Sequence, residues 1–124
     1  MSAYAVWLDQ SEAKIFKFMP GRGVGRESVD ARILHRKELR YGPEVDRNEQ
    51  KFYHEVAGHI DDATELLILG PGLGKAQFKR HLEEHHHLQL AKSIVGVEPM
   101  DHPTENQIVS AARKFFHRWN LFNL

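Results

Sequence analysis

The chain has 124 residues, enough for one domain with its own hydrophobic core. It contains no cysteine, which excludes a disulfide frame, a thiolate nucleophile and cysteine-ligated zinc. Seventeen Lys and Arg balance seventeen Asp and Glu, so any surface that neutralises nucleic-acid phosphates must be a local patch. The opening segment MSAYAVWLDQ meets a charge at Asp9, too early for the apolar region of a secretory leader. No apolar run approaches the ~18 residues of a membrane span. A cytoplasmic protein without membrane contact is expected. Nine histidines are many for this length, and below pH ~6.5 they would add positive charge.

In chain order, residues 3–9 (AYAVWLD) and 13–18 (AKIFKF) read as strands joined by the polar turn Asp9-Gln10-Ser11-Glu12. Pro20 to Gly25 is a second turn region. A third strand follows from Glu27 to Arg36, with Val29, Ala31 and Ile33 on one face. From Lys37 to Asn48 the polar sequence, broken by Gly42-Pro43, predicts a loop. Asn48 is placed to cap a helix reaching about His59, with Phe52, Val56 and His59 along one side and Asp61-Asp62 beyond its end. The run Leu66 to Leu69 predicts a buried strand that stops at Gly70-Pro71-Gly72. A helix from about Lys75 to His86 comes next, then a strand over Ser93 to Glu98. Thr104 with Gln107 three residues on forms a capping box, and the stripe Ile108, Ala112, Phe115, Trp119 points the last helix at the core. The order β-β-β-α-β-α-β-α implies an α/β protein with a mixed five-stranded sheet, the layout of ribonuclease H-like folds. The whole chain, 1–124, reads as a single domain.

Four segments have the residue types of a chemical site. Gly70-Pro71-Gly72-Leu73-Gly74-Lys75-Ala76 suggests a phosphate loop. Its glycine spacing is one residue short, however, and Ala76 stands where a magnesium-binding hydroxyl is needed. The turn is read as a packing device. His81-Leu82-Glu83-Glu84-His85 fits the pattern HxxEH, with two imidazoles one helical turn apart. No third ligand stands at a telling spacing downstream, and a half-buried or solvated helix end is the alternative. In this reading His85 lies close to the apolar stripe and His81 beside it, with His85 to His87 in the last turn. Asp9 falls where a two-metal nuclease of this layout keeps a carboxylate, with Glu98 and Asp101 after the fifth strand. The partner acid expected after the fourth strand is replaced by glycine, and a turn-forming role for Asp9 is the simpler one. Finally, Arg36, Lys37, Arg40, Arg47 and Lys51, with Tyr41 and Phe52 for stacking, could follow an RNA backbone, although four acidic residues are interleaved.

The segments AVWLDQSEAKIFKF, LLILGPGLGKAQFKRHLEEHH and IVGVEPMDHPTENQIVSAARKFF resemble the central domain of the archaeo-eukaryotic release factors and Pelota. The closest resemblance is to short bacterial single-domain members labelled translational machinery proteins. It covers nearly the whole chain and implies a ribonuclease H-like fold. In release factors this domain carries a Gly-Gly-Gln loop that meets the ester of peptidyl-tRNA. The corresponding segment here, KELRYGPEVDRNEQ (Lys37 to Gln50), lacks the motif, so peptide release is not carried over.

The function expected is a non-catalytic, translation-associated binding module that contacts ribosome, tRNA or a protein partner and needs no cofactor. Its anion-binding residues would be Arg36, Lys37, Arg40, Tyr41, Arg47 and Lys51, with Lys75, Lys79 and Arg80 as a second patch. One rival is a metal-dependent hydrolase using His81 and His85, or a nuclease using Asp9. Another is a structural module that dimerises through the apolar tail Trp119 to Leu124.

Overall fold

In the computed structural model residues 2–19, 28–36, 44–85 and 87–122 are described. Strands β1 (Ala3–Leu8), β2 (Glu12–Met19) and β3 (Ser28–His35) are followed by helix α1 (Glu44–Gly58) and strand β4 (Glu65–Gly70). Helices α2 (Gly74–Glu84) and α3 (Leu88–Ser93), strand β5 (Ile94–Pro99) and helix α4 (Glu105–Phe122) complete it. The sheet is five-stranded in the order β3-β2-β1-β4-β5. β2 pairs antiparallel with β1 and β3, while β4 pairs parallel with β1 and β5. The mixed sheet expected from the element order is therefore the one observed.

The central strands are buried on both faces, which is why they read as continuous apolar runs rather than alternating ones. Tyr4, Val6 and Leu8 of β1, with Leu66 and Ile68 of β4, face one core. There they meet Phe52, Tyr53, Val56 and Ala57 of α1, Phe78 and Leu82 of α2, and Leu90 of α3. Ala5, Trp7, Leu67 and Leu69 alternate to the other face and meet Ile108, Ala112 and Phe116 of α4. Burying a side chain of the size of Phe78, which is fully enclosed, contributes ~2–3 kcal/mol. Among the described residues no helix is long and apolar enough to cross a membrane.

Several local expectations are corrected. α1 begins at Glu44, so Asn48 lies inside the helix and does not cap it. Its side chain instead accepts a hydrogen bond from Arg36 Nε at 3.0 Å. α2 ends at Glu84, and His85 is its C-terminal cap rather than part of a last turn. The short α3 is an addition to the expected elements. It has only one buried apolar side chain, Leu90, and so no periodicity to read. On β3, only Val29 of the expected face packs against a core, the one that α4 covers, while Ala31 and Ile33 are exposed and Leu34 reaches the core on the opposite face. Phe116 rather than Phe115 is the deepest of the described aromatics of α4, with Phe115 and Trp119 half-buried. The capping box forms as read. Thr104 N–H donates to Gln107 Oε1 at 2.9 Å, and Gln107 N–H to Thr104 Oγ at 3.2 Å. The turn region Pro20 to Gly25 lies outside the described residues.

The glycine turn closes β4 onto α2. Gly70 has φ +156°, and a Cβ there would run into the backbone carbonyl of Leu8 on β1. Gly72 has φ +58°, a left-handed conformation, with open space around it. Lys75 Nζ turns back to donate to the Gly72 carbonyl at 2.6 Å. The turn is thus shaped by strand packing, and its lysine is bonded to its own backbone.

Candidate functional site

Four of the chain's nine histidines, His54, His81, His85 and His87, converge where α1, α2 and the start of α3 meet. On α2 the buried positions Phe78, His81 and Leu82 share one face, so His81 enters the core side with only 5% of its surface exposed. The helical drift thus puts His81, not His85, on the apolar stripe, the reverse of the sequence reading. His81 Nδ1–H donates to Gln50 Oε1 at 2.7 Å, across to α1. That bond assigns the proton to Nδ1 and leaves the lone pair on Nε2. Nε2 is buried and has no hydrogen-bond partner among the described residues.

His54, one turn after Gln50 on α1, and His87, just before α3, stand beside it. His54 Nδ1 and His87 Nε2 lie 3.3 Å apart. One ligand-type nitrogen from each of His54, His81 and His87 falls within 4.8 Å of the other two. His85 stacks flat on His81, with ring centres 4.5 Å apart and planes at 25°. Burial, then the neighbouring charges of His85, His87 and His54, push His81 down to about 4, so it is neutral at physiological pH. Tyr53 closes the inner side, its ring 5.6 Å from His81 and its hydroxyl pushed up by burial and by Glu49. The outer side opens into a cleft of about 450 Å³ lined by Gln50, Lys51, His54, Glu55, His81 and His85.

The spacing HxxEH pairs His81 with His85. The structure instead groups His81 with His54 and His87, which come from other segments, and leaves His85 as a stacking neighbour. Gln50 and His54, four residues apart beside the buried face of α1, become a readable signal only once that face is known to oppose α2.

The nuclease candidate Asp9 sits at the end of β1, as read. Its Oδ1 accepts from Ser11 N–H at 2.8 Å, Ser11 Oγ at 3.0 Å and Glu12 N–H at 2.9 Å, which is the turn-forming role. These backbone bonds outweigh its partial burial and hold the carboxyl below the usual range. Its other oxygen faces His102 Nε2 at 3.4 Å, and His102 also meets Asp101 at 3.0 Å. Gly70 occupies the place where a second strand-end carboxylate is needed, and Glu98 is exposed on β5.

Of the basic residues, Arg36 is an internal tie. Besides Asn48, it reaches the Gln10 carbonyl at 3.4 Å and Glu49 at 3.9 Å, with its side chain 16% exposed. Lys51, Lys79 and Arg80 are exposed, Lys75 is half-buried, and Arg80 pairs with Glu84 at 2.8 Å along α2. Lys37, Arg40, Tyr41 and the side chain of Arg47 lie outside the described residues, as do the side chains of the tail from Leu121 onward.

No protein-family model and no curated protein matches the chain. Solved structures do. Pelota from Archaeoglobus fulgidus superposes with a TM-score of 0.62 at 17% identity, covering 91% of this chain and 31% of that one. Pelota from Thermoplasma acidophilum gives 0.57 at 17% identity, over 86% of this chain and 30% of its own. The archaeal translation termination factor aRF1 gives 0.57 at 14% identity, over 97% and 40% respectively. The fold is that of a Pelota- and release-factor-like domain. The chain spans 30% to 40% of the length of these proteins.

Proposed function

We infer that this domain is a binding module of the translation apparatus that contacts the ribosome without peptide-release chemistry. The observation that carries this reading is the fold shared with Pelota and aRF1 over most of the chain. One sequence fact and one structural observation support it. No pair of adjacent glycines occurs anywhere in the chain, so a Gly-Gly-Gln loop cannot be assembled. The exposed cations Lys51, Lys79 and Arg80 suit contact with phosphates, which requires no base-specific geometry. Lys37 and Arg40, which precede α1 in the sequence, and Arg47, within α1, are further cations of the proposed set.

Crosslinking and pull-down from a cell lysate at low and high salt test the reading. Ribosomal RNA or tRNA is expected to be enriched at low salt and lost as salt rises. Each phosphate contact removed, as in Lys51→Glu or Lys79→Glu, lowers the salt slope by ~0.7–0.9. If neither RNA nor ribosomal protein is enriched at any salt concentration, the proposal is wrong.

A further inference from the structure

We propose that His54, His81 and His87 bind one divalent transition-metal ion, zinc by ligand chemistry, with a fourth coordination position open to the adjoining cleft. The geometry is close to that of a bound site. Two imidazole nitrogens each ~2.05 Å from a tetrahedral ion stand ~3.3 Å apart. His54 Nδ1 and His87 Nε2 are already at 3.3 Å, and one ligand-type nitrogen from each of the three histidines lies within 4.8 Å of the other two.

The buried Nε2 of His81 is the independent observation. An acceptor nitrogen with no partner among the described residues, in a residue 95% enclosed, is an uncompensated desolvation cost unless something takes its lone pair. Gln50 holds the ring in the tautomer a ligand needs, the way oxygen acceptors orient metal-bound histidines. Without an ion, His54 and His87 can hydrogen-bond to each other, whereas the buried Nε2 of His81 has no partner among the described residues.

The donor set selects the ion class. Three neutral imidazoles suit zinc, copper, nickel or cobalt, whereas magnesium and calcium require oxygen ligands. Three histidines and an open position are the ligand count of zinc sites that hold a water or a substrate oxygen. Lys51 and Glu55 line the cleft in front of that position. The site goes beyond the ribosome-binding reading and does not depend on it.

The test uses untagged full-length protein purified without a metal-affinity step, stripped with chelator and titrated with zinc alone. One equivalent is expected to bind, with a rise in melting temperature. Cobalt is expected to give the intense visible bands of a tetrahedral or five-coordinate site. His54→Ala and His87→Ala, at exposed and half-buried positions that the fold tolerates, each weaken zinc binding by at least ~10-fold, and Gln50→Ala by ~10–100-fold. His85→Ala leaves the affinity within ~3-fold, because its ring stacks on the site and is not a ligand. The proposal is overturned by zinc uptake that is not saturable at one equivalent. It is equally overturned if His54→Ala and His87→Ala bind like the parent, or if His85→Ala is as damaging as they are. Because zinc affinity is read directly, ribosome binding can fail while the metal site stands, and the reverse.

Discussion

Replacing Gly70 with alanine isolates the role of the turn between β4 and α2. Two costs add at this position. The backbone has φ +156°, which side chains rarely adopt, and holding alanine there costs ~1–3 kcal/mol. The new Cβ also meets the carbonyl oxygen of Leu8, a backbone atom of a strand paired on both sides, by β2 and β4. It cannot rotate away as a side chain would, and relieving the overlap by backbone shifts costs a further ~1–3 kcal/mol. Gly70→Ala should therefore destabilise the domain by ~2–6 kcal/mol, a large share of the ~5–15 kcal/mol typical of a domain. Two other glycines serve as controls. Gly72 has φ +58°, but a Cβ added there would meet nothing within 4 Å, so Gly72→Ala should cost only the left-handed strain of ~1–2 kcal/mol. Gly58, the last residue of α1, has neither problem, and Gly58→Ala should be neutral or stabilise by up to ~1 kcal/mol. Urea unfolding followed by circular dichroism, with equal slopes for all variants, measures the series. A Gly70→Ala stability within ~1 kcal/mol of that of Gly72→Ala would refute the steric argument and reopen the turn as a ligand site.

Two further perturbations follow from single contacts. Thr104→Ala removes the hydroxyl that accepts from Gln107 N–H and should cost ~1 kcal/mol by urea unfolding. An unchanged midpoint would mean that the capping box does not contribute to α4. Asp62 accepts from the Tyr4 hydroxyl, and also from Lys17 Nζ at 3.2 Å and Ser2 Oγ at 3.1 Å. The Tyr4 bond first, then Lys17 and Ser2, hold its carboxyl down to about 2 from an ordinary 3.8. Because the folded-state value is the lower one, the stability Asp62 confers is present above pH 3.8 and is lost as pH falls toward about 2. The side chain is 49% exposed, so solvent screening limits the effect to ~1 kcal/mol or less. Asp62→Asn should flatten that part of the stability–pH curve, and parallel curves for parent and variant would contradict the assignment.

The features legible in the sequence are those that act over a turn of helix or along one strand. Leu66 to Leu69 announces a strand buried on both faces because parallel central strands need apolar residues at every position. Thr104 and Gln107 announce a helix start because both bonds of the box close within three residues. Those signals, in order along the chain, determine the mixed sheet and the likeness to Pelota. The start of α1 is less legible, since Asn48 has the residue type of a cap but is used to hold Arg36.

What only the tertiary structure decided is where side chains from distant segments meet. His54 is distant in sequence from His81 and His87, and the three share no helical periodicity. They converge because α1 and α2 lie on the same face of the sheet and α3 begins beside them. The same packing turns His81 inward and leaves His85 as its stacking neighbour, which the spacing HxxEH could not determine. Likewise a glycine at position 70 is visible in any reading of the chain. That it must be glycine follows from the carbonyl of Leu8, a neighbour only in the folded sheet.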